Sequence, residues 1–381
     1  MFSNAVKLFT INGFDIKIDP SWLLIAALIT WSLSQHYFPE SFPDQTMQTY
    51  VVMSVVAMLA FFGSLLLHEL AHSVVARGYG VPIKGITLFL FGGVAELEAE
   101  PKTARVEFLV ALAGPAMSLA LALGFWVLAQ LTPLLALPTA VPEVLGYLAM
   151  INLVLGLFNL VPAFPLDGGR VLRAYVWQRT GDILHATEVA ARSGTLFAYL
   201  LMWLGMIGLF QGALVAGLWQ ILIGGFVLMA ARGSYQAQLA RSVFHGKTVR
   251  SLMSDHPITV GPDVTLTALA DEVMLAHRIS FVPVVLDNVL LGHIDSAILA
   301  RIDRENWPDT RVGDVFVGLD PAFTVSGDLP AQDLMERISR TGQRKFMVTE
   351  DHNLRGVISL SDLVGFLHLT ETLLHSHRKA S

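Results

Sequence analysis

Three ionisable residues sit together in a stretch otherwise suited to an apolar solvent. His68, Glu69 and His72 form the pattern H-E-x-x-H. On a helix, residues four apart share a face, so both imidazoles can reach one metal ion. Glu69 lies beside them, placed to take a proton from water at that metal. Between Pro20 and Ala76 the only other acidic, basic or histidine residues are His36, Glu40 and Asp44. Ionisable groups inside an apolar span are costly and rare, so a cluster of three is a functional signal. Catalytic zinc usually takes three protein ligands and keeps one position open. The chain has no cysteine, which rules out a thiolate site and a disulfide framework and leaves His, Asp or Glu as the third ligand. Asp167 is the candidate, in a run with Pro162, Pro165, Gly168 and Gly169. The prolines end a helix and the glycines free the backbone, which aims the carboxylate inward. Read alone, Asp167-Gly168 is a plain turn; beside a pattern short of one ligand it becomes a site.

These residues need a scaffold, and the composition points to membrane helices. The 381 residues are 54% hydrophobic and only 15% charged, against about 25% charged in soluble domains. The mean hydropathy is +0.58. A net charge of −6 offers no basic stripe for nucleic acid, so no nucleic-acid partner is expected. Six apolar segments are expected to span, at 22–36, 49–76, 105–131, 143–160, 195–210 and 212–231, since about 20 residues cross the hydrocarbon. Lys and Arg are missing from alternate connectors, which puts both termini in the cytoplasm of a multi-pass protein of the cell membrane. The first residues alternate like a strand pair around Asn12-Gly13 and carry no cleavable signal. Ile86–Phe91, Gly92-Gly93 and Val94–Leu97 read as a β-hairpin at membrane depth, tolerated there only against protein or a water-filled cavity.

From about Lys247 the chain reads as an ordinary soluble α/β domain, with two similar stretches about 64 residues apart. The expected layout is a membrane domain at 1–235, a linker at 236–247, one repeat at 248–303, a second at 310–370 and a flexible tail at 371–381.

With these residues in hand, the chain resembles the site-2 protease family of intramembrane metalloproteases. The resemblance rests on His68–His72, on Ala113-Gly114-Pro115, and on Asn159-x-x-Pro162-x-x-x-Leu166-Asp167-Gly168. It implies one Zn2+ per chain held by His68, His72 and Asp167, with Glu69 as general base, and Asn159 helping to hold the oxyanion or the substrate backbone. It implies endopeptidase cleavage within the transmembrane segment of a single-span protein, such as an anti-sigma factor or a remnant signal peptide. The repeats resemble CBS domains, which implies ATP, ADP or AMP as ligand and a homodimer through the CBS pair. Gly356-Val357-Ile358-Ser359-Leu360-Ser361-Asp362 fits that family's nucleotide pattern, with Ser359 on phosphate and Asp362 on the ribose. The first repeat departs from it, with Asp295 and Ile298 at the matching positions, so at most one well-formed nucleotide site is expected. Two other functions remain open on the residues alone. One is a transporter or channel gated by the CBS pair, with the same four residues as an ion path. The other is a non-catalytic zinc-binding scaffold. H-E-x-x-H favours the peptidase because it supplies a base as well as ligands.

Overall fold

The computed structural model describes residues 5–89, 92–97, 101–287, 289–350 and 353–380. The chain divides into two compact units, Met1–Gln236 and Ala237–Ser381.

The first unit opens with strands β1 (Val6–Ile11) and β2 (Phe14–Ile18), antiparallel about Asn12-Gly13. Both turn residues have positive φ, 49° and 82°, the pairing a two-residue hairpin favours. Next come α1 (Ser21–Ser32), a π turn (Leu33–Tyr37) and α2 (Phe38–Ser41). Then follow α3 (Met47–Gly78), β3 (Ile83–Phe89), β4 (Gly92–Leu97), α4 (Ala104–Leu131), α5 (Ala140–Asn159), α6 (Asp167–Thr180), α7 (Ile183–Phe210) and α8 (Leu214–Phe244). Thr46, Thr103 and Asp182 cap α3, α4 and α7, each accepting a backbone N–H with its side chain.

Among the described residues five helices, α3, α4, α5, α7 and α8, are long and apolar enough to cross a membrane. Six were expected, and the difference lies at 22–36. There α1 has 12 residues and the helix widens into the π turn before α2 continues it. Pro39 supplies a cause: it has no N–H for the carbonyl one turn back, and its ring crowds that turn. A second difference is α6. Residues 167–180 were read as connector, but Asp167 opens a new helix, which ends on Gly181 in the left-handed conformation (φ 72°).

The sheet runs β1-β2-β3-β4, with β3 parallel to β2 and β4 antiparallel to β3, so β4 is an outer strand. Leu90 and Phe91 of the expected hairpin lie outside the described residues. At the centre of the helices α4 packs on α3, α5 and α6. Small buried residues such as Ala57, Ala111 and Gly114 allow that close approach.

The second unit holds β5 (Phe281–Leu286), β6 (Val289–Asp295), β7 (Val317–Gly318), β8 (Thr324–Ser326), β9 (Lys345–Glu350) and β10 (Asn353–Ser359). Its helices are α9 (Leu266–Ala268), α10 (Ser296–Leu299), α11 (Val312–Val315), α12 (Ala331–Thr341) and α13 (Leu360–Ala380). The sheet order is β5-β6-β10-β9-β8, with β7 on β6. Leu266, Leu269, Val282, Val284 and Ile294 form a fully buried core in the first repeat. Residues expected to be linker continue α8 as far as Phe244, and those expected to be free tail continue α13. Leu, Glu, Lys and Arg near the C-terminus are good helix formers, which favours that extension.

Candidate functional site

Helix α3 carries His68 and His72 one turn apart on a buried face. Asp167 enters from the first residue of α6. His68 Nε2 and His72 Nε2 are 3.2 Å apart, and Asp167 Oδ2 lies 3.2 Å from the first and 3.1 Å from the second. Three ligand-type atoms thus form a small triangle among buried residues. Bonds of about 2.0–2.1 Å to a tetrahedral ion would separate ligand atoms by about 3.3 Å, so the triangle is close to the size a zinc ion requires.

The outer nitrogens settle which atoms face inward. His72 Nδ1 is 2.6 Å from the carbonyl oxygen of Val110 on α4. A carbonyl only accepts, so Nδ1 carries the proton and Nε2 presents its lone pair. His68 Nδ1 is 2.8 Å from Ser118 Oγ, also on α4. Such outer partners fix the ring orientation of metal-binding histidines.

Helix α4 also makes the room. A Cβ on Gly114 would lie 2.2 Å from His72 Nε2 and 2.5 Å from His68 Nε2. Only glycine leaves that space free. Gly168 and Gly169 act by the same route. A Cβ at either would lie within 2.4 Å of backbone in the 160–164 turn. Neither has positive φ. Their role is close approach of α6 to the preceding turn, not the freed backbone expected from the sequence.

A buried ion pair joins the two supporting helices. Arg173 of α6 donates from Nε to Glu107 Oε1 of α4 at 2.5 Å, and its Nη2 contacts the same oxygen. The guanidinium also sits 5.2 Å from the Phe164 ring centre.

Glu69, Asn159 and Arg170 line a cavity of about 380 Å³ together with His68, His72 and Asp167. The backbone of β4 lies against Glu69, since a Cβ on Gly93 would come within 2.6 Å of its Cγ. Asn159 Nδ2 donates to the Leu155 carbonyl at 3.0 Å, one turn back on its own helix.

Sequence reasoning missed Ser118, Val110, Glu107, Arg173, Arg170 and Gly93. Ser118 had a signal: it is four residues after Gly114, on the same helix face. The Glu107–Arg173 partnership spans 66 positions and had none.

In the second unit, Ser359 and Asp362 line a separate cavity of about 340 Å³ with Lys345, Arg278 and His256. The two are bonded to each other at the start of α13. Ser359 N and Oγ both donate to Asp362 Oδ2 at 2.8 Å, and Asp362 N donates back to Ser359 Oγ at 3.2 Å. In the first repeat Asp295 Oδ1 accepts the Ala297 and Ile298 amides at 3.0 and 2.9 Å. Its carboxylate occupies the helix-start donors that an anion would use. His293 is buried between the rings of Phe281 and Phe323, with centroids at 4.8 and 4.3 Å, and burial pushes its pKa down.

Residues 56–138 and 134–203 match peptidase family M50, and residues 249–302 and 312–369 match the CBS domain. The Mycobacterium tuberculosis protein named as zinc metalloprotease Rip3 is 36% identical over 362 residues, which cover 94% of this chain and 92% of that protein. A zinc metalloprotease of Methanocaldococcus jannaschii is 28% identical over 372 residues, 96% of this chain and 97% of that one. Among solved structures, the site-2 protease from Methanocaldococcus jannaschii is similar at 29% identity and a TM-score of 0.42, covering 61% of this chain and 95% of that chain.

Proposed function

This chain belongs to peptidase family M50 and is a zinc metalloprotease of the membrane with a CBS pair, and from that premise we propose how its residues divide the work. His68, His72 and Asp167 hold one zinc ion. Glu69 is the general base. The observation that carries this reading is the triangle of Nε2, Nε2 and Oδ2 atoms, 3.1–3.2 Å on a side, with both Nδ1 atoms tied outward.

The reaction is hydrolysis of a peptide bond in the membrane segment of a single-span protein, such as an anti-sigma factor or a remnant signal peptide. When bound, zinc supplies Lewis-acid polarisation of the water and of the scissile carbonyl. Glu69 takes the proton of the attacking water and passes it to the leaving amine nitrogen. Both roles need Glu69 ionised at the start and free to swing, and the bare Cα of Gly93 leaves it that space. A helical substrate hides its amides, so the cleaved segment is extended. It pairs with the outer edge of the β3–β4 hairpin, which runs beside Glu69. A substrate methylated at alternate amides around the cleaved bond should resist cleavage. Unimpaired cleavage would remove the strand-pairing step.

The helical run 21–41 serves as a sixth crossing, and both termini face the cytoplasm, as the Lys and Arg distribution favours. The 340 Å³ cavity takes one adenine nucleotide, with Lys345 and Arg278 near its phosphates and Asp362 on the ribose. The first repeat takes none, because Asp295 already fills its helix start. The CBS pair forms a homodimer. Titration of the full chain with ATP, ADP and AMP should find one site per chain, weakened by Asp362→Ala; silence with all three nucleotides would end this part.

The test of the catalytic reading is Glu69→Gln. Wild type should bind about one zinc, as a three-ligand site does, and cleave a single-span substrate in liposomes. The variant should keep its zinc and lose cleavage. Zinc in both and cleavage in neither, over several substrates, would favour a scaffold or an ion path instead.

A further inference from the structure

Two arginines three residues apart on α6 have opposite surroundings. Arg173 is buried and bonded to Glu107. Arg170 lines the cavity that holds His68, Glu69, His72 and Asp167; its backbone N–H donates to the Leu166 carbonyl at 3.3 Å, while its guanidinium makes no hydrogen bond or ion pair with another of the described residues. It is the one Lys or Arg among the described residues lining that cavity. It sits three residues after Asp167, on neighbouring rows of the same helix face. It also lies near the start of α6, where the helix dipole disfavours a cation. Its charge acts on Glu69 and His72 of the same cavity, yet none of the described residues holds the guanidinium by a hydrogen bond or ion pair.

Peptide hydrolysis gives that cation a task. As the water oxygen bonds to the carbonyl carbon, the C=O electron pair moves onto oxygen. That oxygen then carries negative charge until the C–N bond breaks and the amine leaves with a proton. Preorganised donors aimed at such an oxygen are among the largest catalytic contributions known. Asn159 is the residue expected to supply one, and it gives one of its two amide N–H donors to the Leu155 carbonyl. Resting on the peptidase reading above, we propose that Arg170 is a catalytic residue whose guanidinium donates to the scissile carbonyl oxygen as charge builds on it. It gains and loses no proton, and its fork of donors suits one oxygen and a neighbouring carbonyl.

The test compares wild type, Arg170→Gln and Arg170→Lys in liposomes. Zinc content, KM and kcat are measured on each, together with direct binding of a fluorescent phosphinic peptide that mimics the tetrahedral anion. Loss of one oxyanion donor lowers kcat by about 100- to 1000-fold. Arg170→Gln should show that loss with wild-type zinc content and nearly unchanged KM, and should weaken phosphinic peptide binding by a similar factor. Arg170→Lys should fall between. A kcat within threefold of wild type, unchanged phosphinic peptide affinity, or loss of zinc in both variants would overturn the proposal. Wild type that never cleaves would instead overturn the peptidase reading on which it rests.

Discussion

The helical unit and the CBS unit treat polar side chains in opposite ways. In the helical unit five buried ionisable groups converge, with Glu188 of α7 apart from them and bonded to Arg192 one turn on. His68, His72, Asp167, Glu107 and Arg173 all lie on α3, α4 or α6, within a few turns of one another. Each is bonded to a partner on another helix. In the CBS unit the candidate ligands, half-buried Ser359 and exposed Asp362, are bonded to each other across three residues. Apolar surroundings leave a polar group few partners, so its geometry is tightly determined by the ones it has. Water-exposed groups satisfy themselves locally and remain free to change partners. The first arrangement suits fixed chemistry, the second a reversible ligand.

That contrast can be broken by substitution, and the largest effect is expected at Gly114. Gly114→Ala places a methyl 2.2 Å from His72 Nε2 and 2.5 Å from His68 Nε2, too close for either imidazole to stay where it is. Zinc content and cleavage should both fall to background while the helical circular dichroism stays near wild type. Normal zinc content would show that the triangle is not the metal site. Next comes Glu107→Gln. Removing one charge of a buried pair leaves the other uncompensated, at about 3–5 kcal/mol. The first unit should melt well below wild type, while replacing Glu107 and Arg173 together by methionine should restore much of the loss. Equal melting temperatures for Glu107→Gln and wild type would mean the pair is not buried from solvent in the membrane.

Ser118→Ala is a smaller step. It leaves all three candidate ligands in place and removes only the partner of His68 Nδ1. Outer-partner losses of this kind weaken metal binding by about 10–100-fold. Chelator competition should read that shift with fold intact, and unchanged zinc affinity would reduce Ser118 to packing. The smallest effect belongs to the CBS unit. His293 has its pKa lowered by burial, so the folded unit favours the neutral ring and the unfolded chain binds the proton more readily. The stability it contributes is complete above about pH 6.5, the ordinary histidine value, and is lost as pH falls below that value toward the folded pKa. Melting of the second unit should drop from pH 7.5 to 5.5, and His293→Phe should flatten that slope. An unchanged slope would assign the pH response to other groups.

Much of the site was legible because its spacing is local. His68, Glu69 and His72 sit within one helical turn, and the turn at Asn12-Gly13 advertises its backbone conformation. Asp167 was readable only as a missing ligand. Its setting was misread, since Gly168 and Gly169 suggested a loop although they are the close-packed start of a helix. The break in the 22–36 segment was also hidden, because its apolar composition is that of a span and the perturbing Pro39 lies beyond it. Long-range partnerships such as Glu107 with Arg173 leave no trace in a single sequence. The same holds for Gly93 against Glu69, where the determinant is an absent side chain.

The most direct measurement is the zinc K-edge absorption spectrum of the purified protein, compared with Asp167→Ala and His72→Ala. The account predicts one zinc with two imidazole nitrogens and one carboxylate oxygen at about 2.0–2.1 Å. Each variant should lose its own scatterer, most of its zinc affinity and all cleavage. A zinc shell unchanged in both variants would place the metal elsewhere and contradict the assignment.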